Sequence, residues 1–247
     1  YSSLNANGAT VMGATFKNQS GTAVGGTVNG TYKNCVFDGS NALRSCVAGE
    51  TVVFENCVFT GNVYGVHFDD GSNDAIFRNC TLSGFNTFGA ALTELTFEDC
   101  TFVANGRSGY NGINMWGNTN LIRCEFTFDG SVTEWVHVRN SNKSFKIEDC
   151  TVNGQPFVIS DLGIYGDCDV RLDGEHYGFA SSTDGLKYTL EKGASIINLY
   201  KDGEYSMPIV AKNKTFTING NGENTVIKVA QPAGGEMLDG NIDYSTV

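Results

Sequence analysis

Long apolar runs are missing from this sequence: no window holds 18 consecutive apolar residues, which excludes a helix that spans a membrane. Positive charge is also scarce. Lys and Arg number 16 against 27 Asp and Glu, for a net charge of -11, and the 16 form no cluster. Counterion release on a phosphate backbone needs a basic face, so nucleic acid is excluded as a partner. Proline is nearly absent, with 3 residues, and the 31 Gly follow no G-x-y period, which excludes collagen. Only 17% of residues are charged and 40% are apolar, enough to bury a core and to exclude a disordered chain. The chain starts at Tyr1 without Met, a basic stretch or an apolar leader, which reads as a start that was processed or cut from something longer.

What is there in quantity is cysteine. Seven of the eight stand at 35, 57, 80, 100, 124, 150 and 168, at intervals of 22, 23, 20, 24, 26 and 18 residues. A period near 22 is the mark of a solenoid. Set in register, the copies read Tyr32-Lys-Asn-Cys35-Val-Phe37-Asp-Gly39, Phe54-Glu-Asn-Cys57-Val-Phe59-Thr-Gly61 and Phe77-Arg-Asn-Cys80-Thr-Leu82-Ser-Gly84. Phe97-Glu-Asp-Cys100-Thr-Phe102, Ile122-Arg-Cys124-Glu-Phe126 and Ile147-Glu-Asp-Cys150-Thr-Val152-Asn-Gly154 follow. Ala14-Thr-Phe16-Lys-Asn18 is an earlier copy with Ala in the cysteine slot. Each copy describes two short strands about a one-residue corner. Asn and Asp tolerate the left-handed backbone such a corner needs, and alternation turns Cys and the next Phe or Leu inward. Stacked coils then place Cys over Cys, Phe over Phe and Asn over Asn, and long helical patterns are scarce, so the fold class is all-β and the architecture a parallel β-solenoid.

With those residues the chain resembles the right-handed parallel β-helix superfamily, the pectate-lyase-like fold, whose coils carry a corner asparagine ladder and stacked aliphatic, aromatic and cysteine rows. The resemblance runs over about residues 10 to 175 and implies about 7 to 8 coils; it is specific for fold and not for activity. Cys35, Cys57, Cys80, Cys100, Cys124 and Cys150 form the core ladder. Stacked thiols behave as small apolar side chains, and their parallel side-chain vectors fit the roughly 90° disulfide dihedral poorly, so free thiols are expected over a disulfide network. No C-x2-C pair exists to hold zinc. Cys46 lies off the ladder, either in the core on another strand or as a lone thiol.

The signature stops after Cys168, which divides the chain into residues 1–180, the β-helix, and 181–247. In the second part Ser182-Thr-Asp-Gly-Leu186-Lys-Tyr-Thr-Leu190-Glu-Lys-Gly193 has a capping Ser or Thr, apolar residues four apart and a terminal Gly, which predicts a short helix. Strands over 195–199, 215–218 and 225–229 follow, separated by Asp202-Gly203 and by Asn219-Gly-Asn-Gly222. This part either caps the first helix or starts a second one.

The more variable arcs between copies carry the candidate site. Tyr64-Gly-Val66-His67-Phe68-Asp69, Gly112-Ile113-Asn114-Met115-Trp116 and Trp135-Val136-His137-Val138-Arg139 read as strands of one exposed sheet. Alternation points Val66, Phe68, Ile113, Met115, Val136 and Val138 inward. It leaves two outward rows, His67, Asn114 and His137, then Asp69, Trp116 and Arg139, flanked by Tyr110 and Trp135. Aromatic rings beside amide and charged groups suit a sugar, whose apolar face a ring covers while polar groups take its hydroxyls. Asp69, Asp70 and Asp74 form the best acidic cluster, a Gly- and Asn-rich turn or a weak calcium site; calcium is the one cofactor suggested.

Two function classes follow. The first is a non-catalytic binding or structural module on a cell surface or virion, an adhesin or a phage fibre or tailspike that recognises carbohydrate or a host surface, a homotrimer in the spike case. The second is a polysaccharide lyase or glycoside hydrolase acting on acidic glycans. Polygalacturonase-like hydrolases carry Asn-Thr-Asp, Asp-Asp, Gly-His-Gly and Arg-x-Lys motifs, and only an Asp-Asp pair is found here. Arg139 lies about three coils, near 14 Å, from Asp69, too far for one catalytic centre. The expectation therefore leans to the extracellular binding module, with no catalytic residues assigned.

Overall fold

A single residue in each coil sets the path of the chain. In a computed structural model that describes residues 4–71, 74–88, 94–103, 113–128, 135–207 and 215–229, Asn34, Asn56, Asn79, Asp99, Arg123 and Asp149 all have φ between 49° and 54°. That left-handed conformation turns the strand ahead of each cysteine into the strand behind it, and Asn and Asp bear it at least strain. Gly13, φ 64°, takes the same corner before Ala14. The corner amides also stack: Asn79 Nδ2 donates to Asn56 Oδ1 at 2.7 Å, and Asn56 Nδ2 to Asn34 Oδ1 at 3.2 Å. Arg123 is the exception that its neighbours explain. Its guanidinium reaches Asp99 and Glu98, both at 2.7 Å, which anchors a residue poorly suited to the left-handed region.

The strands wind into a β-solenoid of about eight turns. Register breaks divide the long strands Thr15–Lys33 and Val36–Glu55 into three segments each, so one coil has three faces. Thr15 to Asn18 pairs with Val36 to Gly39, Thr22 to Val28 with Asn41 to Val47, and Gly30 to Lys33 with Val52 to Glu55, all parallel. The same three pairings recur in the next coil. At one bend between faces Gly84 has φ 112°, and a Cβ there would meet Gly61 O at 2.8 Å; only glycine fits both the angle and the approach.

The chain divides into two compact units, Tyr1–Arg139 with Lys146–Gly163, and Asn140–Phe145 with Ile164–Val247. In the first, Cys35, Cys57, Cys80, Cys100, Cys124 and Cys150 are free and buried. Each of Cys57, Cys80, Cys100 and Cys124 donates its thiol to a carbonyl one coil back, those of Tyr32, Phe54, Phe77 and Phe97, at 3.4 to 3.5 Å. Two aromatic columns flank the thiols. Tyr32, Phe54, Phe77 and Phe97 stack with centroids 4.8 to 5.2 Å apart, and Phe16, Phe37 and Phe59 at 4.7 to 5.0 Å. Leu82 stands in the second column before Phe102 and Phe126 resume it at 5.0 Å. Outside, charges alternate along the coils: Lys33 with Glu55 at 2.7 Å, Glu55 with Arg78 and Arg78 with Glu98 at 3.5 Å. The Lys33 ammonium bonded to Glu55 holds that carboxyl below its ordinary range.

Two sequence expectations change here. In the fifth cysteine copy the inward residue is Leu121, which pairs with Phe97, and Ile122 pairs with Glu98 on the outer side. Cys168, the last cysteine of the period and placed by sequence within the 1–180 part, belongs to the second compact unit. It is buried in the second unit, at the head of strand Cys168–Leu172, where burial and then the charges of Asp169 and Asp167 push its thiol well up. Cys46 lies in the Val36–Glu55 strand, with its side chain outside the described residues.

The second unit opens on an antiparallel hairpin, Cys168–Leu172 against Glu175–Ala180. Helix Thr183–Lys192 follows, with Ser182 accepting from Gly185 N at its start and Gly193, φ 86°, at its end. Strand Glu175–Ala180 then pairs in parallel with Ile196–Leu199, and that with Thr217–Asn219. Gly203–Met207, which sequence reading passes over as a separator at Asp202-Gly203, is a strand that pairs in parallel with Thr225–Val229. Leu186, Leu190, Ile197, Leu199, Tyr205 and Met207 are among its core residues. Asn219 donates to Asn198 at 2.9 Å, one coil apart, which ties the two paired strands through their side chains. Among the described residues no helix is long and apolar enough to cross a membrane.

Candidate functional site

The variable arcs of the first unit form the face that holds the Asn41 to Val47 segment, termed the third face. Along it the register runs Arg44 to His67, His67 to Thr87, Thr87 to Asn114 and Asn114 to His137. These five side chains form one row, one residue per coil. Val66, Phe68, Ile113, Met115, Val136 and Val138 alternate with the row and are at most 1% exposed, so burial of the apolar partners fixes which side the polar residues take. Arg44 and Thr87 escaped sequence reading, since nothing repeats at their positions; only register brings them in.

At the His137 end the row becomes a hydrogen-bonded cluster. Arg139 Nε donates to Asn114 Oδ1 at 2.6 Å, and an Arg139 Nη2 sits 3.2 Å from His137 Nδ1. His137 Nδ1 is also 3.2 Å from Asn114 Oδ1. Arg139 can only donate and Asn114 Oδ1 can only accept, so His137 Nδ1 accepts from the guanidinium in one tautomer and donates to the amide oxygen in the other. Asn114 is 9% exposed, more enclosed than an outward position suggests, because Arg139 folds over its amide. Trp116 follows Asn114 by two residues and is 38% exposed. Its N–H donates to Phe88 O and that of Arg139 to Met115 O, which sets Trp116 and Arg139 side by side in the next row. A planar guanidinium locked between an amide and an imidazole, beside a half-exposed indole, is a rigid set of donors with an apolar shelf.

The remaining expected site residues divide. Trp135 does not flank the face: it is 6% exposed, stacks on Phe128 at 4.1 Å and donates Nε1 to Asp161 Oδ1 at 3.1 Å. It precedes strand Val136–Val138 and does not follow that strand's alternation. Tyr110 lies outside the described residues, as do the side chains of Asp69 and Asp70. Asp74 accepts from Glu94 N at 3.1 Å through Oδ1, a coil-to-coil tie. Among the described residues no group of three His, Cys, Asp or Glu is placed to hold a metal ion. Asn86, 2% exposed, was missed altogether; its Oδ1 accepts from Val66 N at 2.8 Å and its Nδ2 donates to Gly84 O at 3.0 Å, which pins the bend leading into the face.

The second unit has its own polar knot. Asp169, 3% exposed, is bonded to Ser144 Oγ at 2.5 Å, His176 Nε2 at 3.1 Å and Tyr188 Oη at 3.3 Å. Burial raises the Tyr188 phenol to about 12. Asp167 likewise takes Ser181 N, Ser182 Oγ and Tyr200 Oη. Both carboxylates sit between hydrogen bonds to the elements around helix Thr183–Lys192 and fasten it.

Comparison with curated proteins returns no match, and comparison with solved structures returns none. The family model described as a right handed beta helix region matches residues 3–131, more than half of the chain. Period, corner ladder, stacked core and that match agree, and the chain belongs to the right-handed β-helix family.

Proposed function

We propose that this chain is an extracellular carbohydrate-recognition module, part of a bacterial surface adhesin or of a phage fibre or spike, and that it holds a glycan along the third face. The family is consistent with a carbohydrate-related surface protein or enzyme. The observation that carries the finer reading is the Asn114, His137 and Arg139 cluster, whose polar atoms approach to 2.6 to 3.2 Å beside Trp116. Its donors are held before any ligand arrives, so binding a hydroxyl-rich chain orders few side chains. The indole offers the apolar shelf a pyranose needs. The row extends over five coils, about 19 Å at the strand spacing, the length of a short oligosaccharide.

The test is a glycan array read with wild-type protein and with Trp116→Ala, followed by reducing-sugar and unsaturated-uronide assays on the glycans bound. Binding that Trp116→Ala weakens about tenfold, with no product released, is the expected result. A blank array for the wild type removes the reading, and product release moves the chain to the lyase or hydrolase class.

A further inference from the structure

The coil that departs most from the repeat builds a second pocket. After Cys150 the chain turns back on itself, Thr151–Val152 pairing antiparallel with Gln155–Pro156, and then makes a 3-10 turn over Ile159–Asp161. Between this excursion and Trp135 lies an open cavity of about 450 Å³. Trp135, Val152, Pro156 and Val158 supply its apolar wall, and Gln155, Ser160 and Asp161 its polar side. Trp135 is fixed from both ends, by its stack on Phe128 and by its bond to Asp161. Val158, 49% exposed, stands at the rim.

The carboxylate decides what fits. Asp161 Oδ1 accepts from Trp135 Nε1 at 3.1 Å and Oδ2 from Val158 N at 2.8 Å. Among the described residues it has no cationic partner, and each oxygen retains a lone pair for a further donor. A hydrogen bond from a charged donor to such a carboxylate is roughly twice as strong as one from a neutral hydroxyl. The net charge of -11 adds to this by raising the local concentration of cations. An indole and three aliphatic side chains beside the carboxylate favour a hydrocarbon body on the same ligand. We propose that this pocket binds a small organic cation, an ammonium group on a compact apolar body, with Asp161 facing the charge and the Trp135, Val152, Pro156 and Val158 wall taking the body. This site shares no residue with the third-face row and stands apart from the carbohydrate reading.

Trp116 and Trp135 are the two tryptophans of the chain, so Trp116→Phe leaves Trp135 as the sole indole reporter in the pocket. That variant is titrated with n-butylammonium chloride, with n-butanol as the neutral isostere and with potassium chloride at matched ionic strength, and Trp135 emission is followed. The expected result is a saturable change with the ammonium alone, and an apparent Kd raised about tenfold when Asp161→Asn is added. A change that does not saturate, or equal binding of the alcohol, overturns the proposal. The comparison of ammonium with alcohol needs no change at Asp161, so it decides the matter even where Asp161→Asn loosens the turn.

Discussion

Truncating Phe77 tests the stacked core at its most enclosed point. Phe77 is fully buried, lies between Phe54 at 4.9 Å and Phe97 at 4.8 Å, and meets Phe59 and Phe88 edge-on at 5.9 Å. Phe77→Ala forfeits the transfer energy of the ring and leaves a cavity that fixed backbone on three faces prevents from closing, a loss of about 3 to 5 kcal/mol. Phe16 is the internal comparison. It stands in the first coil, is half-buried, and stacks on Phe37 at 5.0 Å. Half of a phenyl burial gives about 1 kcal/mol for Phe16→Ala. Urea unfolding followed by circular dichroism reads both. With a slope of about 3 kcal/mol per M, Phe77→Ala lowers the midpoint by roughly 1 to 1.7 M and Phe16→Ala by roughly 0.3 M. Phe77→Leu, which keeps most of the volume, stays within about 1.5 kcal/mol of wild type. Equal losses for Phe77→Ala and Phe16→Ala would refute the continuous aromatic column.

Other outcomes follow from the corners, the thiols and the charges. Asn56→Ala destabilises by about 2 kcal/mol and Asn56→Gly by about 1 kcal/mol less, because both remove the bonds to Asn34 and Asn79 but only glycine accepts φ 52° freely; equal losses would show that backbone conformation is not the constraint. Titration with an aromatic disulfide reagent finds eight thiols in concentrated guanidinium without reductant, while folded protein reacts slowly, as the buried ladder and the raised Cys168 thiol require; a count that rises on adding reductant contradicts the free-thiol core. Glu55 has a folded pKa below its ordinary value through Lys33, so its contribution is present above the usual carboxylate range and disappears as pH falls through the lowered value. The pair is partly exposed to solvent, so Glu55→Gln costs under about 1 kcal/mol at neutral pH and nothing in strong acid; a pH-independent difference in the melting temperature would contradict the ion-pair ladder.

The coil was legible because three residues repeat together. A corner Asn, an inward Cys and an inward Phe at a 22-residue spacing specify turn, face and register at once, and the structure places them where alternation predicts. The fifth cysteine copy was misread by one position: Leu121 stands three residues before Cys124, as Phe97 does before Cys100, and Ile122 takes the outer place of Glu98, but Arg123 at the corner deprives the copy of its Asn cue. The third face was half legible. Alternation within each arc identified His67, Asn114 and His137, but the arcs differ in length, so the register that adds Arg44 and Thr87 is a property of stacking and not of any one segment. Trp135 looked like a groove aromatic because it is two residues from His137; its side chain goes instead to Phe128 and Asp161. The hairpin after Cys150 falls in the shortest cysteine interval, 18 residues, and the pocket it forms with Trp135 had no sequence signal.

The central claim is that a glycan lies across coils on the third face. Amide chemical-shift mapping with isotope-labelled protein and an oligosaccharide selected by the array tests it most directly. Perturbations that run from His67 through Thr87 and Asn114 to His137, with Trp116 and Arg139 beside them, are the predicted result. Perturbations confined to another face, or to the second unit, would contradict it.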